Sequence, residues 1–228
     1  MITVRKSKDR GHVNIGWLDS HHSFSFGSYH DPAHMGFGHL RVINQDVVQP
    51  GRGFATHGHR NMEIISYVLD GLLAHSDSTG NSGVIRPGEV QVMSAGTGIR
   101  HSEMNESEER TVQFLQIWVL PSKDNTEPGY AQKAFPAQSG LSLLVSPDGR
   151  AGSLSIRQDM ELYRVLMKRD DTIRFNIKRG RAWVQLMRGS LQLGDLTLQP
   201  GDGAAITQAA AIQLSALDEV EALVFDLV

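Results

Sequence analysis

The sequence predicts an all-β protein built from two small barrels in tandem. Several segments mix β-branched and aromatic residues between turn residues, and the clearest are 40–48, 62–71, 88–96 and 112–121. With 23 glycines and 8 prolines among 228 residues, many turns between short strands are favoured over long helices. The Pro-Gly turn at Pro87-Gly88 has a counterpart at Pro200-Gly201, and each turn follows a hairpin-like segment. This similarity between the two halves of the sequence indicates two copies of one fold.

The expected boundary between the barrels lies in the segment 121–140, which is polar and rich in Pro and Gly. Strand-like segments continue after it. A further strand is expected to begin at Leu141, and a meander is expected over residues 172–206. We therefore predict an N-terminal barrel over residues 1–135 and a C-terminal barrel over residues 136–228.

The composition excludes several classes of protein. Hydrophobic residues make up 40% and charged residues 21%, as in ordinary globular proteins. The net charge of −3 and the lack of a basic block predict no direct binding to nucleic acid or to an anionic membrane. Cysteine is absent, which excludes disulfides and thiolate ligands. The polar N-terminus and the lack of a long apolar run predict a cytoplasmic protein.

Potential metal ligands occur in two short motifs, His57-x-His59 and His101-x-Glu103. Because residues i and i+2 of a β-strand share a face, each motif can direct both of its donors to one point, whereas a helix would space them by three or four. Imidazoles with a carboxylate suit iron, manganese, nickel, cobalt, copper or zinc. The spacing leaves open whether Glu103 or Glu63 completes the set, since Glu63 lies an even number of residues from both strand histidines.

The distribution of histidines assigns this site to the first barrel. All ten histidines lie at or before His101, so the second barrel has none. The histidines outside the two motifs are interpreted as surface or hydrogen-bonded structural residues; they are His12, His21, His22, His30, His34, His39 and His75.

Residues 51–63 fit the first cupin motif closely, and residues 98–105 fit the second, with Gly96 where that pattern has proline. A longer stretch of the chain resembles the pirin family, in HSFSF (22–26), FATHGHRNMEIISYVLDG (54–71), VMSAGTGIRHSEMN (92–105) and RQDMELYR (157–164). The resemblance covers nearly the whole chain and is closest to bacterial pirins credited with quercetin dioxygenase activity.

The resemblance implies two tandem cupin barrels, of the double-stranded β-helix, jelly-roll-like kind, with metal in the first barrel alone. It also implies that His57, His59, His101 and Glu103 hold one iron, and that Glu63 is an interior residue which orients a ligand or a water molecule. We therefore expect one divalent transition metal, Fe(II) by resemblance. Zinc, manganese, nickel, cobalt and copper stay open, because ligand type alone does not select the metal.

The function that the resemblance implies is an oxidoreductase of the quercetin 2,3-dioxygenase type, acting on a flavonol such as quercetin with O2. In this hypothesis Glu103 or Glu63 removes the proton of the 3-hydroxyl group, and O2 opens the central ring with loss of carbon monoxide. The alternative is an iron-binding, redox-sensing regulator that acts through a partner protein. Oxygen uptake with a small molecule would favour the enzyme, and a partner affinity that depends on the iron oxidation state would favour the regulator.

Overall fold

A computed structural model describes all 228 residues of the chain, and its regular structure consists of 22 β-strands. The other elements are two 3₁₀ turns, Ser7–Asp9 and Arg150–Gly152. The prediction of an all-β protein is confirmed. None of the elements is a helix with the length and apolar character needed to span a membrane.

The chain forms two compact units, and neither is one continuous stretch of sequence. The N-terminal unit comprises residues 11–136 and 156–158, and the C-terminal unit comprises residues 1–10, 137–155 and 159–228. The predicted N-terminal barrel over residues 1–135 includes the first ten residues, but these residues belong to the C-terminal unit. The reason is that strand β1 (Ile2–Arg5) pairs antiparallel with β20 (Gly203–Thr207), which supplies its backbone hydrogen bonds.

The N-terminal unit is built from a seven-stranded and a four-stranded antiparallel sheet. In spatial order, the larger sheet contains β12 (Gly129–Ala134), β9 (Glu89–Ser94), β6 (Glu63–Asp70), β11 (Val112–Val119), β4 (Leu40–Val48), β3 (Leu18–His22) and β2 (Gly11–Asn14). The smaller sheet contains β5 (Gly53–His59), β10 (Ile99–Asn105), β7 (Leu73–Asp77) and β8 (Ser82–Ile85).

The segment expected to be a linker contains part of this unit. Strand β12 lies within residues 121–140 and pairs with β9 along its whole length, from Gly129 opposite Ser94 to Ala134 opposite Glu89. Pro128 and Pro136 flank this short edge strand, and the chain passes from the N-terminal to the C-terminal unit directly after it, between residues 136 and 137.

The C-terminal unit also combines a seven-stranded and a four-stranded sheet. The larger sheet contains β1, β20, β17 (Arg181–Arg188), β22 (Val220–Leu227), β15 (Met160–Met167), β13 (Gly140–Ser146) and β14 (Leu154–Ser155). The smaller sheet contains β16 (Thr172–Asn176), β21 (Ala211–Ala216), β18 (Leu191–Leu193) and β19 (Leu196–Leu198). The core of the C-terminal unit is a cluster of buried apolar side chains that includes Phe175, Leu186 and Val224.

In the N-terminal unit the interior is apolar at two places and polar between them. One apolar cluster includes Val68 and Phe114, and another includes Ile64 with Trp118 packed against it. Between the two clusters, the same face of β6 and β11 carries the polar residues Ser66 and Gln116, which lie directly opposite each other. The His101-x-Glu103 motif reaches this polar belt, because the carboxylate of Glu103 contacts both Ser66 and Gln116.

Candidate metal centre

The three histidines of the two motifs converge on one point. Strands β5 and β10 are antiparallel neighbours, and His57 lies directly opposite His101 in their register. The ring centroids of His57, His59 and His101 lie 4.5–4.9 Å from one another. The Nε2 atoms of His59 and His101 are 3.0 Å apart, and one donor atom of each ring lies within 4.8 Å of the other two.

The protonation states of His59 and His101 suit metal coordination. Burial, followed by the neighbouring His57, lowers the pKa of His59 to about 4. Burial and the surrounding histidines likewise lower the pKa of His101 to about 3. Both rings are therefore neutral at pH 7, the form in which imidazole binds metals. Converging neutral imidazoles without sulfur fit a divalent transition metal.

Glu103 lies beside the cluster on the same face of β10 as His101. The burial of β10 alternates as expected for a strand, so both side chains are buried, and Glu103 Oε2 lies 4.0 Å from His101 Nε2. Gln116 Nε2 donates to Glu103 Oε2 at 2.6 Å, and the Ser66 hydroxyl lies 3.2 Å from Oε1. Burial raises the pKa of Glu103 despite these hydrogen bonds. Its place as a fourth ligand stays a prediction.

A register shift makes this arrangement possible. His101 pairs with His57, but two residues further along β10 Glu103 pairs with Phe54, so β5 bulges at Ala55 and Thr56. Because of this bulge, Phe54 and His57 occupy neighbouring positions on the face of β5 that is turned to the cluster, with ring centroids 6.5 Å apart.

Glu63 lies on the opposite face of its sheet, which corrects the expectation that it faces the interior with the histidines. Strand β6 pairs without a break from Glu63 to Ser66, so these two side chains point to opposite faces, and Ser66 is the one that contacts Glu103. Glu63 Oε2 instead accepts hydrogen bonds from Ser94 Oγ and from the backbone N–H of Arg157. The even number of residues from His59 to Glu63 does not put the two side chains on one face, because the turn through Asn61, at φ 51°, interrupts the strand geometry between them.

His75 lies next to His101, at a position where the sequence indicates only a surface or hydrogen-bonded structural residue. Its Nε2 lies 3.1 Å from Asp77 Oδ2, and both side chains are fully buried. Its Nδ1 lies 3.4 Å from Nδ1 of His101. The signal in the sequence is the i, i+2 spacing of His75 and Asp77 on one strand, but only the pairing of β7 with β10 brings them to His101.

This chain of contacts defines which nitrogen of His101 carries a proton. A carboxylate accepts only, so His75 Nε2 donates to Asp77, and with one proton on His75 its Nδ1 is an acceptor. His101 Nδ1–H then donates to His75, which leaves the lone pair of His101 Nε2 directed at the cluster. Burial acts to raise the pKa of Asp77, but hydrogen bonds from Thr79, His75 and Asn81 together hold it below its usual value.

Two cavities adjoin the centre. One of about 490 Å³ is lined by His59 together with Arg60, Ser78 and Arg100. The other, of about 170 Å³, has Phe26 and Phe54 among its walls. Its polar lining includes four buried side chains on β3 and β4, and these are Ser20, His22, Asn44 and Asp46.

An aromatic wall connects the second cavity to the histidines. The ring of Trp118 packs edge-on against both Phe26 and His59, with centroids 5.2 and 5.0 Å away. The indole Nε1 of Trp118 is buried and has no hydrogen-bond acceptor in the protein. A buried N–H without a partner is uncommon, and it leaves a donor available to a bound molecule.

Comparison with known families agrees with these features. The sequence matches the Pirin family over residues 3–119 and the quercetinase C-terminal cupin domain over residues 143–227. It is 47% identical over 228 residues to quercetin 2,3-dioxygenase of Escherichia coli strain K12, covering 100% of this chain and 99% of that one. A pirin-like protein of Caulobacter vibrioides is 38% identical over 228 residues, covering 97% of this chain and 98% of that one.

Solved structures show the same fold. The crystal structure of YhhW from Escherichia coli aligns with a TM-score of 0.98 at 47% identity, covering 100% of this chain and 98% of that chain. A second structure, of the bacterial pirin YhhW in complex with nickel(II), aligns with a TM-score of 0.97 at 46% identity, covering 100% and 99%. The expected tandem cupin fold is therefore confirmed, and the chain belongs to the pirin family.

Proposed function

We propose that this chain is a metal-dependent dioxygenase that cleaves flavonols such as quercetin with O2. The observation that carries the proposal is the convergence of His57, His59 and His101 beside the buried carboxylate of Glu103. Relatives named quercetin 2,3-dioxygenase support the reaction type, and the relative crystallised with nickel(II) supports a divalent metal. Fe(II) is our first candidate for the metal because a sulfur-free His/carboxylate set suits dioxygen chemistry.

In this proposal the three histidines hold the ion and Glu103 is the fourth donor. When bound, the metal would supply a Lewis-acidic centre capable of redox chemistry with O2. The protein would keep His101 in the productive orientation through His75 and Asp77, and it would keep Glu103 in place through Gln116. These outer contacts matter because ligand orientation controls metal affinity.

Glu103 is also the proposed base that takes the 3-hydroxyl proton. Its Oε2 is held tightly by Gln116, whereas its Oε1 has only the longer contact with Ser66, so we place the transferred proton on Oε1. The Ser66 hydroxyl lies 3.2 Å from both Glu103 Oε1 and Gln116 Oε1. It can therefore donate to Glu103 before the transfer, and afterwards it can accept from the protonated Oε1 of Glu103 and donate to Gln116.

The substrate would bind on the aromatic side of the centre. Phe26 and Phe54 offer apolar surface for a ring, and the cavity between them has a polar lining that includes Asn44 and Asp46. Such a pocket, apolar with a few placed polar groups, suits a hydroxylated aromatic ring. The unpaired Trp118 N–H, which lies in the wall next to His59, is a further donor for a substrate oxygen.

The test is oxygen consumption with quercetin by metal-stripped protein reconstituted with Fe(II), Mn(II), Ni(II), Co(II), Cu(II) or Zn(II). We expect metal-dependent uptake with release of carbon monoxide, and we expect His59→Ala to abolish both. Glu103→Gln should lose most of the activity, whereas Glu63→Gln should retain it, because Glu63 lies on the other face of the sheet. Glu63 is an equally buried carboxyl and is therefore the matched control.

Two outcomes would contradict the proposal. Tight metal binding without oxygen uptake with any flavonol would overturn the dioxygenase assignment, and the regulator hypothesis would then be tested by partner affinity in the ferrous and ferric forms. Full activity of Glu103→Gln with its metal retained would overturn the role of Glu103 as base and leave the reaction type standing.

A further inference from the structure

A second group of histidine and carboxylate side chains lies on the outer face of the β2–β3 hairpin. His12 is directly opposite His21, and Asn14 is directly opposite Asp19, in the antiparallel register of these strands. Alternation along both strands puts all four on one face, whereas Ser20 and His22 lie on the other face and line the cavity beside the candidate metal centre. This outer group is separate from the His57, His59 and His101 centre.

The side chains of this outer group are arranged around one carboxylate oxygen. Asp19 Oδ1 lies 2.8 Å from His12 Nε2 and 3.7 Å from His21 Nδ1. The two imidazole rings stack with centroids 4.3 Å apart and planes 15° apart. Asn14 Nδ2 lies 3.4 Å from Asp19 Oδ2, so the second carboxylate oxygen has a hydrogen-bond donor of its own. One donor atom of each ligand side chain lies within 4.8 Å of the other two.

We propose that His12, Asp19 and His21 form a second, surface binding site for a borderline transition-metal ion such as Zn(II). Bonds of about 2.0–2.1 Å place the ligand atoms of a tetrahedral zinc ion about 3.4 Å apart, and the two separations measured around Asp19 Oδ1 bracket that value. Small rotations of the side chains are therefore enough to form the site. The set of two imidazoles and one carboxylate is the donor chemistry of known zinc sites with an open position.

The surroundings favour an accessible, prearranged site. The side chains of His12, Asp19 and His21 are 52%, 40% and 36% exposed, so an ion can enter and water can complete its coordination. The hairpin turn is tied by the bond from Gly16 N–H to Asn14 Oδ1 and by the bond from Ile15 N–H to the carbonyl of Leu18. These bonds fix the register on which the His12–His21 pair depends.

The other explanation is that polar side chains on β2 only keep an edge strand from pairing with another chain. Calorimetric titration of the metal-stripped full chain with Zn(II) near neutral pH distinguishes the two explanations. We expect two classes of site in the wild type. We expect the His12→Gln/His21→Gln variant to lose one class and keep the other, and Asp19→Asn to weaken the same class. His30→Gln, at an exposed histidine outside both groups, is the matched control and should behave as the wild type.

The location is tested in the His57→Gln/His59→Gln variant, whose central site is removed. Ni(II) should then broaden backbone amide NMR signals of β2 and β3, and this broadening should disappear when His12 and His21 are also replaced. A single class of zinc site in the wild type would overturn the proposal. So would a second class that persists in the His12→Gln/His21→Gln variant. Neither readout depends on dioxygenase activity.

Discussion

The Nδ1 atoms of His101 and His75 lie 3.4 Å apart in the interior of the N-terminal unit, and His75 in turn contacts Asp77. Because the carboxylate can only accept, a His75 ring with one proton donates to Asp77 and accepts from His101 Nδ1–H, and His101 then presents its Nε2 lone pair to the neighbouring histidines. The ring of Tyr130 stacks on His75 with centroids 4.7 Å apart. His75 is therefore fixed by packing as well as by its hydrogen bonds.

This relationship predicts that His75→Phe lowers metal affinity without unfolding the protein. Phenylalanine keeps the ring and its stacking on Tyr130 but cannot accept the His101 N–H. Loss of such an outer partner costs roughly 10- to 100-fold in metal affinity. Competition with a chelator of known affinity measures the change, and Asp77→Asn should show a smaller loss. An unchanged dissociation constant in His75→Phe would refute the orienting role.

The glycines of β5 provide a matched pair for testing its fit against β10. A Cβ atom at Gly53 would lie 2.2 Å from the carbonyl oxygen of Glu103 and 2.6 Å from Cα of Met104. At Gly58 the nearest atom would be 3.8 Å away. Gly53→Ala should therefore cost about 1–3 kcal/mol in the free energy of unfolding and weaken metal binding, because the backbone must shift.

Gly58→Ala should leave both properties close to the wild type. Urea denaturation and metal content after dialysis measure the two effects. Equal behaviour of the two alanine variants would show that close approach of β5 and β10 at Gly53 is not needed for the site.

Trp118→Phe tests the unpaired indole N–H in the aromatic wall. Phenylalanine preserves the apolar contact with Phe26 and His59 but removes the donor. If that donor binds a substrate oxygen, its loss should raise KM roughly 5- to 10-fold, corresponding to about one hydrogen bond, with metal content unchanged. Steady-state oxygen uptake with quercetin measures KM and kcat separately. An unaltered KM would exclude substrate contact by this group.

The C-terminal unit should lose stability in acid through Glu161. Burial acts to raise the pKa of this carboxyl, but hydrogen bonds from Tyr163 and Arg150 and the charge of Arg179 hold it below the usual 4.5. A carboxyl whose pKa is lower in the folded state stabilises the fold above the unfolded pKa, and this contribution is lost as pH falls through the folded pKa.

We therefore expect Glu161→Gln to reduce the free energy of unfolding by about 2 kcal/mol near neutral pH, as for a buried hydrogen-bonded charge. The difference from the wild type should shrink as the pH falls below 4.5. Urea unfolding across this pH range provides the measurement, with Glu219→Gln at an exposed position of the same unit as control. A difference that is independent of pH would contradict the account.

Local sequence was sufficient for the features that depend on strand geometry alone. Alternation places His101 and Glu103 on one buried face of β10, and His57 and His59 both reach the cluster from β5. The turn composition and the absence of cysteine likewise predicted an all-β chain with a nitrogen and oxygen donor set. These features follow because the side-chain period of a strand is a property of its own backbone.

The tertiary structure decided which strands became neighbours and where strand geometry was interrupted. The turn at Asn61 interrupts the strand, so the i, i+2 alternation does not carry over from the histidines of β5 to Glu63. Glu63 therefore lies on the opposite face of the sheet from Ser66. Pairing of β7 with β10 brought His75 to His101, although the two are 26 residues apart in sequence. Strand pairing depends on backbone partners from distant segments, so it is determined only when the whole chain has packed.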